Sequence, residues 1–387
     1  MRKKFGILLG MLALLFMACL PMKVTAENQK THFMVYYRAW RDQAMKGVNT
    51  TLPDDNWLTM DQIPYGIDIV NVFSFVPQGE EAAAAPFFQK LKTHYVPVLH
   101  QRGVKLTKAI DYSELLKVPH KGAFPTAAEF DAYANQLLDE HVRPYGIDGL
   151  DIDMEANPSK EAVALSDGVI KALSKYIGPL ANNQTVFVYD TNGSYLEPFK
   201  NVANCFTYLG YQQYGSGSER TANALKTYEG VIPKERFMPG LTFPEELDHN
   251  YWYDTKEPYE DSNLYHVAKY TAEHQLYGMF LYALDRDGRT YAAEDLNHIK
   301  PSNFLWTKTA ILEAKGYTLT QAKEIAKHHW NRVAPAGEFK EQILARINQA
   351  TSIYEVNKVL LGSSNNFEED GVSLTYDPIY ELTLMNK

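Results

Sequence analysis

Three acidic residues recur at every second position in the segment 148–155, which reads DGLDIDME. Asp151, Asp153 and Glu155 alternate there with apolar residues. On a β-strand this period places the three carboxyl groups on one face and the apolar side chains on the other. Burying three acids in a row is costly unless they share protons and hydrogen bonds. Packing alone gives no reason for such a column, so the segment predicts a site of acid–base chemistry.

The alternative to a buried column is a solvent-exposed strand at a sheet edge. A long predicted helix precedes the segment, and Asn157-Pro158-Ser159, a turn and helix start, follows it, which disfavours an edge. Carboxyl groups at close range cannot all ionise, so their pKa values move apart. Glu155 would lie at the C-terminal end of the strand, where a protonated Glu can serve as a general acid.

Short β-rich segments alternate with helical segments from about residue 32 to about residue 300, and this order implies a parallel sheet. Eight units over this length match a (β/α)8 TIM barrel of the α/β class, whose chemistry lies at the C-terminal ends of the strands. An open doubly wound sheet is the alternative, but no glycine-rich dinucleotide fingerprint opens the sequence. The predicted strands are 33–37, 67–75, 104–110, 147–155, 185–189, 205–211, 236–241 and 278–284, and the clearest helices are 127–141, 160–175 and 263–274.

Strand signals stop after Pro301, and the segment 306–361 predicts three amphipathic helices joined by short loops. This pattern favours a small antiparallel bundle with a core of its own, which would contain Ile325, Ile343 and Val356. The predicted organisation is a signal peptide (1–26), a catalytic barrel (27–300), a helical bundle (301–363) and a C-terminal tail or strand (364–387).

The first 26 residues have the layout of a secretory signal peptide. Basic residues 2–4 precede an apolar run at 5–20, and Val24-Thr25-Ala26 supplies small residues for a signal peptidase. The apolar run is shorter than the roughly 20 residues of a membrane span, which disfavours an anchor. Lipoprotein processing at Cys19 is a second alternative, although a poor lipobox precedes it. We therefore expect a secreted or cell-surface protein without a membrane span.

Composition and charge exclude several classes of function. The 387 residues are 45% hydrophobic and carry a formal net charge of −9, which disfavours a nucleic-acid partner. Loss of the signal peptide would leave Cys205 alone in an apolar run, where a buried inert thiol is expected. His328 and His329 are adjacent rather than one helical turn apart, so a metal site is disfavoured.

The segment 148–155 resembles the signature of glycoside hydrolase family 18 on the fourth strand of its barrel. Four further motifs resemble the secreted bacterial endo-β-N-acetylglucosaminidases of that family, and together the motifs run through residues 32–290. The resemblance implies a TIM-barrel glycosidase that acts on N-glycans of glycoproteins without a metal or an organic cofactor. We expect the protein to be a monomer. The four motifs are YYRAWRD at 36–42, YDTN at 189–192, YQQY at 211–214 and YALDRDG at 282–288.

The sequence departs from the chitinase branch of the same family at two places. Chitinases usually carry Ser-x-Gly-Gly after the third strand, whereas 104–111 reads VKLTKAID. They usually have a Trp on the eighth strand, which here carries Phe280, Tyr282 and Leu284. A chitinase-like or cell-wall hydrolase is thus the alternative enzyme, and a sugar-binding lectin is the alternative outside enzymes. Inactive lectins of the family usually lose the last Glu of the signature, and Glu155 is present.

The resemblance also implies a substrate-assisted retaining mechanism, in which the acetamide of the sugar replaces an enzyme nucleophile. Glu155 would protonate the leaving oxygen, Asp153 would orient the acetamide, and Asp151 would share a proton with Asp153. Tyr214 would hydrogen-bond the acetamide carbonyl, and substrate contacts are expected from Gln212, Trp40, Tyr37, Asp190, Tyr282 and Asp285.

Overall fold

A computed structural model describes residues 30–49, 51–52, 55–247, 252–291, 295–364 and 372–387. The predicted signal peptide and Cys19 lie outside these residues. Within the described ranges, no helix has both the length and the apolar character needed to cross a membrane.

Eight strands close into a barrel in chain order, each parallel to its neighbours, with β8 paired to β1. The predicted (β/α)8 fold is therefore confirmed. Each strand agrees with its predicted segment to within about three residues at either end, which is the usual uncertainty of boundaries read from sequence. The strands are β1 (His32–Arg38), β2 (Ile69–Phe73), β3 (Lys105–Asp111), β4 (Gly149–Met154), β5 (Val186–Thr191), β6 (Tyr208–Gln212), β7 (Phe237–Thr242) and β8 (Gly278–Tyr282).

Helices surround the barrel and continue beyond its last strand. The third begins at a capping box in which Thr126 and Glu129 satisfy each other's backbone N–H groups. The helices are α1 (Glu81–Lys90), α2 (Val96–Gln101), α3 (Ala127–His141), α4 (Lys160–Leu173), α5 (Glu197–Lys200), α6 (Ser218–Thr227), α7 (Asn263–His274), α8 (Leu305–Ala314), α9 (Leu319–Val333), α10 (Glu338–Gln349), α11 (Ile353–Leu361) and α12 (Pro378–Met385).

Alternate residues of each strand face either the surrounding helices or the barrel interior. In β4, Leu150 and Ile152 are completely buried in the large core beneath the helices. A second apolar cluster, which includes Val188 and Met238, fills the barrel interior. Val188 is the strand partner of Asp151, so the carboxyl column begins at the level of this inner cluster and rises toward the open end of the barrel.

The helix α8 completes the ring of barrel helices, although the sequence boundary at residue 300 assigned it to the bundle. All of its residues are buried, and Lys315, which follows it, donates a hydrogen bond of 3.0 Å to the carbonyl oxygen of Thr31 beside β1. A helix enclosed on all sides shows no apolar stripe, so its periodicity could not be read from the sequence. The helices outside the barrel therefore begin after Ala314.

The three helices predicted beyond the barrel are α9, α10 and α11. Their predicted core residues Ile325, Ile343 and Val356 are buried. The expectation of a separate core is wrong, because Tyr354 of α11 stacks on Tyr259 next to α7, with ring centroids 4.7 Å apart. The barrel and these helices share one apolar core.

The segment 364–387 contains the helix α12, so the prediction of a tail or a strand is wrong for these residues. Asp377 caps the helix by accepting hydrogen bonds from two backbone N–H groups, and Pro378 occupies its first position. Glu381 is buried and accepts hydrogen bonds from Arg332 (2.6 Å) and contacts His329 (2.9 Å) on α9. These partners are distant in sequence, so no local pattern announces the helix.

The burial of α8, the helix that completes the barrel ring, can be tested by pH through its residue Glu313. Its side chain is buried, and burial raises its pKa from 4.5 to about 8. Between these two values the folded chain binds a proton that the unfolded chain has lost, so the penalty of burial grows as the pH rises. We expect Glu313→Gln to stabilise the protein on the order of 2–4 kcal/mol more at about pH 8.5 than at about pH 5.

Urea unfolding at the two pH values measures this difference. The control is Glu324→Gln on the exposed face of α9. This change should alter the free energy of unfolding by the same small amount at both pH values. An effect of Glu313→Gln that does not change with pH would contradict the prediction.

Candidate active site

The three carboxyl groups of β4 form a column that passes from the barrel interior to its rim. Asp151 is completely buried, Asp153 is half-buried, and Glu155 is exposed just beyond the end of the strand. One carboxyl oxygen of Asp151 accepts hydrogen bonds from the hydroxyl of Tyr36 (2.7 Å) and the amide of Asn71 (2.6 Å). The column is thus anchored at its base by β1 and β2 and opens at the C-terminal ends of the strands.

The buried acids of this column and its neighbour have raised pKa values. Burial raises the pKa of Asp151 to about 7. Burial and the charges of Glu155 and Asp151 raise the pKa of Asp153 to about 7. The pKa of Asp190 is also raised, first by burial and then by the two aspartates. Asp151 and Asp153 are therefore partly protonated near neutral pH, because carboxyl groups at close range cannot all ionise.

Gln212 joins two of these acids. Its amide nitrogen donates to Asp190 at 2.5 Å and to Asp153 at 3.2 Å. Asp153 and Asp190 are partners on adjacent strands. Gly210 on β6 makes room for this arrangement, since a Cβ there would lie 2.6 Å from a carboxyl oxygen of Asp190. These hydrogen-bonded side chains form a polar floor across the barrel at the level of Asp153 and Asp190.

A cavity of about 530 Å³ lies above this floor. Asp153 and Glu155 open into it from β4, and aromatic rings form much of its wall. Such a combination of carboxyl groups and aromatic faces suits acid–base chemistry on a sugar, whose ring has both polar edges and apolar faces. The cavity is lined by Tyr36, Phe73, Asp153, Glu155, Asp190, Asn192, Gln212, Gln213, Tyr214, Ser216, Arg220, Trp252 and Tyr282.

The aromatic wall is held by a buried ion-pair network behind it. Tyr282 donates a hydrogen bond of 3.2 Å to Glu245, which also pairs with Arg38 at 2.7 Å. Arg38 makes two further hydrogen bonds to Asp285, at 2.9 and 2.5 Å. Tyr282 in turn stacks on Tyr214, with ring centroids 6.2 Å apart. The network thereby sets the orientation of two rings that face the cavity.

Asp254, which lies between β7 and α7, connects the loop after β6 to the end of β7. Its carboxyl group accepts hydrogen bonds from the backbone N–H groups of Gly215 (2.9 Å) and Thr242 (3.0 Å) and from the amide of Asn263 (3.1 Å). These contacts hold the loop that carries Tyr214 against the end of β7.

Most of the residues predicted from the sequence come together at this cavity. Asp153, Glu155, Gln212, Tyr214, Asp190 and Tyr282 line it, and Asp151 lies directly beneath. No group of three or more His, Cys, Asp or Glu side chains in the described part of the chain is arranged to hold a metal ion.

The prediction that Tyr37 contacts substrate is wrong. Tyr37 is buried on the outer face of β1, and its hydroxyl donates to Asp42 at 2.6 Å. Its neighbour Tyr36 points into the barrel and lines the cavity instead. Adjacent strand residues face opposite sides, so an error of one position in the strand register exchanges the two tyrosines.

Trp40 and Asp285 also lie away from the cavity described above. Trp40 is buried behind Phe73, with ring centroids 5.8 Å apart, and lines a separate opening with Arg41. Asp285 is buried and binds Arg38. Both were expected to contact substrate, and in the structure both support the wall from behind.

Several cavity residues were not predicted. Phe73 ends β2 and could have been found from its place at the C-terminal end of a strand. Arg220 lies in the first turn of α6. The others lie in loops, where no periodicity indicates direction; they are Asn192, Gln213, Ser216 and Trp252.

Tyr37→Phe tests the placement of the two tyrosines. We expect the change to lower the free energy of unfolding by about 1 kcal/mol, because Asp42 loses one hydrogen bond, and to leave KM unchanged. Tyr36→Phe should instead alter the pH dependence of kcat, because it removes a donor from Asp151. Urea unfolding measures the free energy of unfolding, and initial rates at several pH values give KM and kcat for each variant. A raised KM for Tyr37→Phe with unchanged stability would contradict the placement of the two tyrosines.

Comparison with known proteins finds relatives that belong to one family of enzymes. A sequence model of the endo-β-N-acetylglucosaminidase EndoS TIM-barrel domain matches residues 35–281. An endo-β-N-acetylglucosaminidase of Bifidobacterium longum subsp. infantis is 51% identical, over 94% of this chain and 69% of the relative. Endo-β-N-acetylglucosaminidase F2 of Elizabethkingia meningoseptica is 34% identical, over 71% of this chain and 79% of the relative.

A solved structure shows the same likeness. The crystal structure of endo-β-N-acetylglucosaminidase from Cordyceps militaris superposes with a TM-score of 0.64 at 30% identity, covering 74% of this chain and 91% of the fungal chain. A second crystal structure holds a variant of that enzyme in complex with fucosyl-N-acetylglucosamine-Asn. The motifs, the closed barrel and these relatives agree, and the chain belongs to the endo-β-N-acetylglucosaminidases of glycoside hydrolase family 18.

Proposed function

We propose that the enzyme is exported and cleaves the β-1,4 bond between the two core N-acetylglucosamine residues of N-glycans. The observation that carries this proposal is the grouping of Asp153, Gln212 and Tyr214 at the inner end of the cavity, with Glu155 at its rim. An acetamido sugar bound there would meet hydrogen-bonding groups at its acetamide and an acid at its glycosidic oxygen.

In the first step the acetamide oxygen of the bound sugar forms a bond to its own anomeric carbon. The glycosidic bond breaks, and the proton of Glu155 passes to the leaving oxygen. Asp153 accepts a hydrogen bond from the acetamide N–H and stabilises the positive charge of the oxazolinium ring. Tyr214 donates to the acetamide carbonyl side, and burial raises its pKa well above the ordinary value, so it stays protonated.

In the second step a water oxygen forms a bond to the anomeric carbon, and the ring bond to the acetamide oxygen breaks. Glu155, now a carboxylate, accepts the proton of the water. Asp151 shares a proton with Asp153 as the charge on the acetamide rises and falls, which the raised pKa of both acids supports. Two displacements at one carbon retain the anomeric configuration.

The alternatives are a chitinase-like or cell-wall hydrolase and a sugar-binding lectin. The eighth strand places Phe280 over Gly240, where a Cβ would lie within 2.2 Å of the ring, and presents Tyr282 to the cavity instead of a Trp. The ligand of the fungal structure, fucosyl-N-acetylglucosamine-Asn, is the remnant that cleavage within an N-glycan core leaves. Both observations favour N-glycans over chitin, and the presence of Glu155 in the cavity favours an enzyme over a lectin.

The predicted signal peptide at 1–26 supports the proposal of export. We expect N-terminal sequencing of the protein from its host to begin after Ala26, and size-exclusion chromatography to show a monomer. A mature chain that begins at lipid-modified Cys19 would instead indicate cell-surface anchoring.

The function is tested by incubating the mature protein with one glycoprotein of high-mannose type and one of complex type, with a chitin oligosaccharide in parallel. The expected products are glycans that end in one N-acetylglucosamine and a protein that keeps one N-acetylglucosamine on asparagine, both read by mass. Cleavage of the chitin oligosaccharide alone would favour the chitinase alternative, and binding without cleavage would favour the lectin.

A further inference from the structure

A buried carboxyl group outside the column of β4 lies behind the wall of the large cavity. Asp254 is 1% exposed and follows Trp252, a residue of that wall, by two positions. The proposed mechanism gives it no part in the chemistry. Burying a carboxyl group costs free energy unless hydrogen bonds compensate it, so the partners of Asp254 indicate what it stabilises.

The two carboxyl oxygens of Asp254 bind different parts of the barrel rim. One oxygen accepts hydrogen bonds from the N–H of Gly215, in the loop after β6, and from the amide of Asn263. The other accepts a hydrogen bond of 3.0 Å from the N–H of Thr242, the last residue of β7. These three donors are neutral, so the link consists of directed hydrogen bonds rather than an ion pair. One side chain thus ties the β6 loop to the end of β7.

Tyr214 lies in the β6 loop between two anchored residues. On its N-terminal side, the N–H of Gln213 donates a hydrogen bond of 3.0 Å to the carbonyl oxygen of Gly240 on β7. On its C-terminal side, the N–H of Gly215 donates to Asp254 at 2.9 Å. The backbone on both sides of the tyrosine is therefore fixed to its surroundings, and the direction of its side chain depends on both anchors.

The indole ring of Trp252 packs on the same loop. A Cβ at Gly215 would lie 3.3 Å from Cε3 of Trp252, so the ring rests directly on the backbone of the glycine. The N–H of Asp254 also donates a hydrogen bond of 3.0 Å to the carbonyl oxygen of Trp252. Two neighbouring parts of the cavity wall, the tyrosine loop and the indole, are thus fixed by one buried residue.

We propose that Asp254 is a positioning residue for the reaction, which acts through Tyr214 by fixing the direction of its hydroxyl. This assignment rests on the proposed function, in which that hydroxyl donates to the acetamide of the reacting sugar. Asp254 is not among the described residues that line the cavity, so its effect on the reaction is indirect. A donor to a developing ring must be held to within about 0.5 Å, and the link from β7 supplies this constraint.

Asp254→Asn breaks the link without changing the size of the side chain. Asparagine keeps one acceptor oxygen, and its NH2 group faces an N–H donor at the other position. It can therefore hold the β6 loop or the end of β7, but not both. We expect this change to lower kcat for hydrolysis of a glycoprotein about tenfold and to alter KM less than about twofold, because the displaced hydroxyl acts on the forming ring.

A double-mutant cycle measures whether this loss passes through Tyr214. If Asp254 acts by placing the tyrosine hydroxyl, its effect disappears once the hydroxyl is gone. In the Tyr214→Phe background we therefore expect Asp254→Asn to lower kcat by less than about twofold. The matched control is Asp287→Asn, since Asp287 is also 1% exposed and accepts hydrogen bonds from neutral donors of Ser302 and Thr307 near the start of α8. The control should leave kcat and KM unchanged.

An equal loss of kcat in both backgrounds would overturn the proposal, and so would an unchanged kcat in Asp254→Asn. Thermal unfolding shows whether this variant folds. If it does not, Gly215→Ala tests the link from the loop, because its φ of +75° is strained for alanine and its Cβ would press on Trp252. This variant should lose kcat in the wild-type background and not with Tyr214→Phe, and equal losses would again overturn the proposal. A wild type without endoglycosidase activity would instead overturn the proposed function.

Discussion

Glu155→Gln is expected to lower the hydrolysis of an N-glycosylated protein by at least about 10²-fold, because general acid catalysis contributes about 10²–10⁴-fold. Glutamine has nearly the shape of glutamate but has no proton to give to the leaving oxygen. Glu155 is exposed beyond the end of β4, so the change should not alter the free energy of unfolding. Initial rates of deglycosylation, read by the mass of the glycoprotein, and thermal unfolding measure the two effects.

Glu229→Gln is the matched control. Glu229 is also exposed, but it lies between α6 and β7, at the end of the barrel where the strands begin. It should retain full activity and full stability. Near-full activity of Glu155→Gln would remove this residue from the role of general acid.

Asp153→Asn and Asp153→Ala are expected to slow hydrolysis of glycoprotein by about 10²–10³-fold, the usual loss when one preorganised group is removed from a developing charge. In the proposed mechanism Asp153 forms no bond to the sugar but holds the acetamide in position to attack. Opening of a preformed ring does not need this positioning. The variants should therefore still accept a synthetic glycan oxazoline and transfer it to N-acetylglucosamine, because Glu155 remains to take the proton.

The spacing of the two acids motivates this division of roles. Asp153 lies on the same face of the strand as Glu155 and roughly 6.6 Å from it along the chain. Asp139→Asn on the exposed face of α3 is the control and should leave both reactions unchanged. A covalent sugar ester trapped on Asp153 of the wild type would contradict the mechanism, as would an Asp153 variant with unchanged hydrolysis.

The sequence predicted the barrel and the carboxyl column because both depend on local periodicity. A strand with a two-residue repeat of acids has only one arrangement in a barrel, with its carboxyl groups inside, and β4 has this arrangement. Gln212 and Tyr214 were placed by a family motif and lie where Asp153 can meet them. The prediction thus succeeded where neighbouring residues in sequence share one element.

The prediction failed where direction depends on tertiary contacts. Tyr36 and Tyr37 are equally plausible from sequence, and only the pairing of β1 with its neighbours decides which one faces the cavity. Asp285 follows a strand end, as a site residue would, but the buried guanidinium of Arg38 holds it. A sequence does not show which charges are satisfied within the protein and which remain for a ligand.

The two helices that were misassigned have a related cause. The helix α8 is enclosed by other helices and therefore lacks an amphipathic pattern. The helix α12 depends on the contact of Glu381 with α9, whose partners lie about 50 residues earlier. In both cases tertiary packing outweighs local propensity.

The proposed mechanism depends on attack at the anomeric carbon by the acetamide of the substrate, rather than by an enzyme side chain. It is tested most directly with a series of substrates whose cleaved sugar carries an acetyl, fluoroacetyl, difluoroacetyl or trifluoroacetyl group on nitrogen. Each fluorine withdraws electrons from the carbonyl oxygen and weakens it as a nucleophile. We expect kcat to fall steeply with each added fluorine, and a kcat that stays constant along the series would exclude attack by the acetamide.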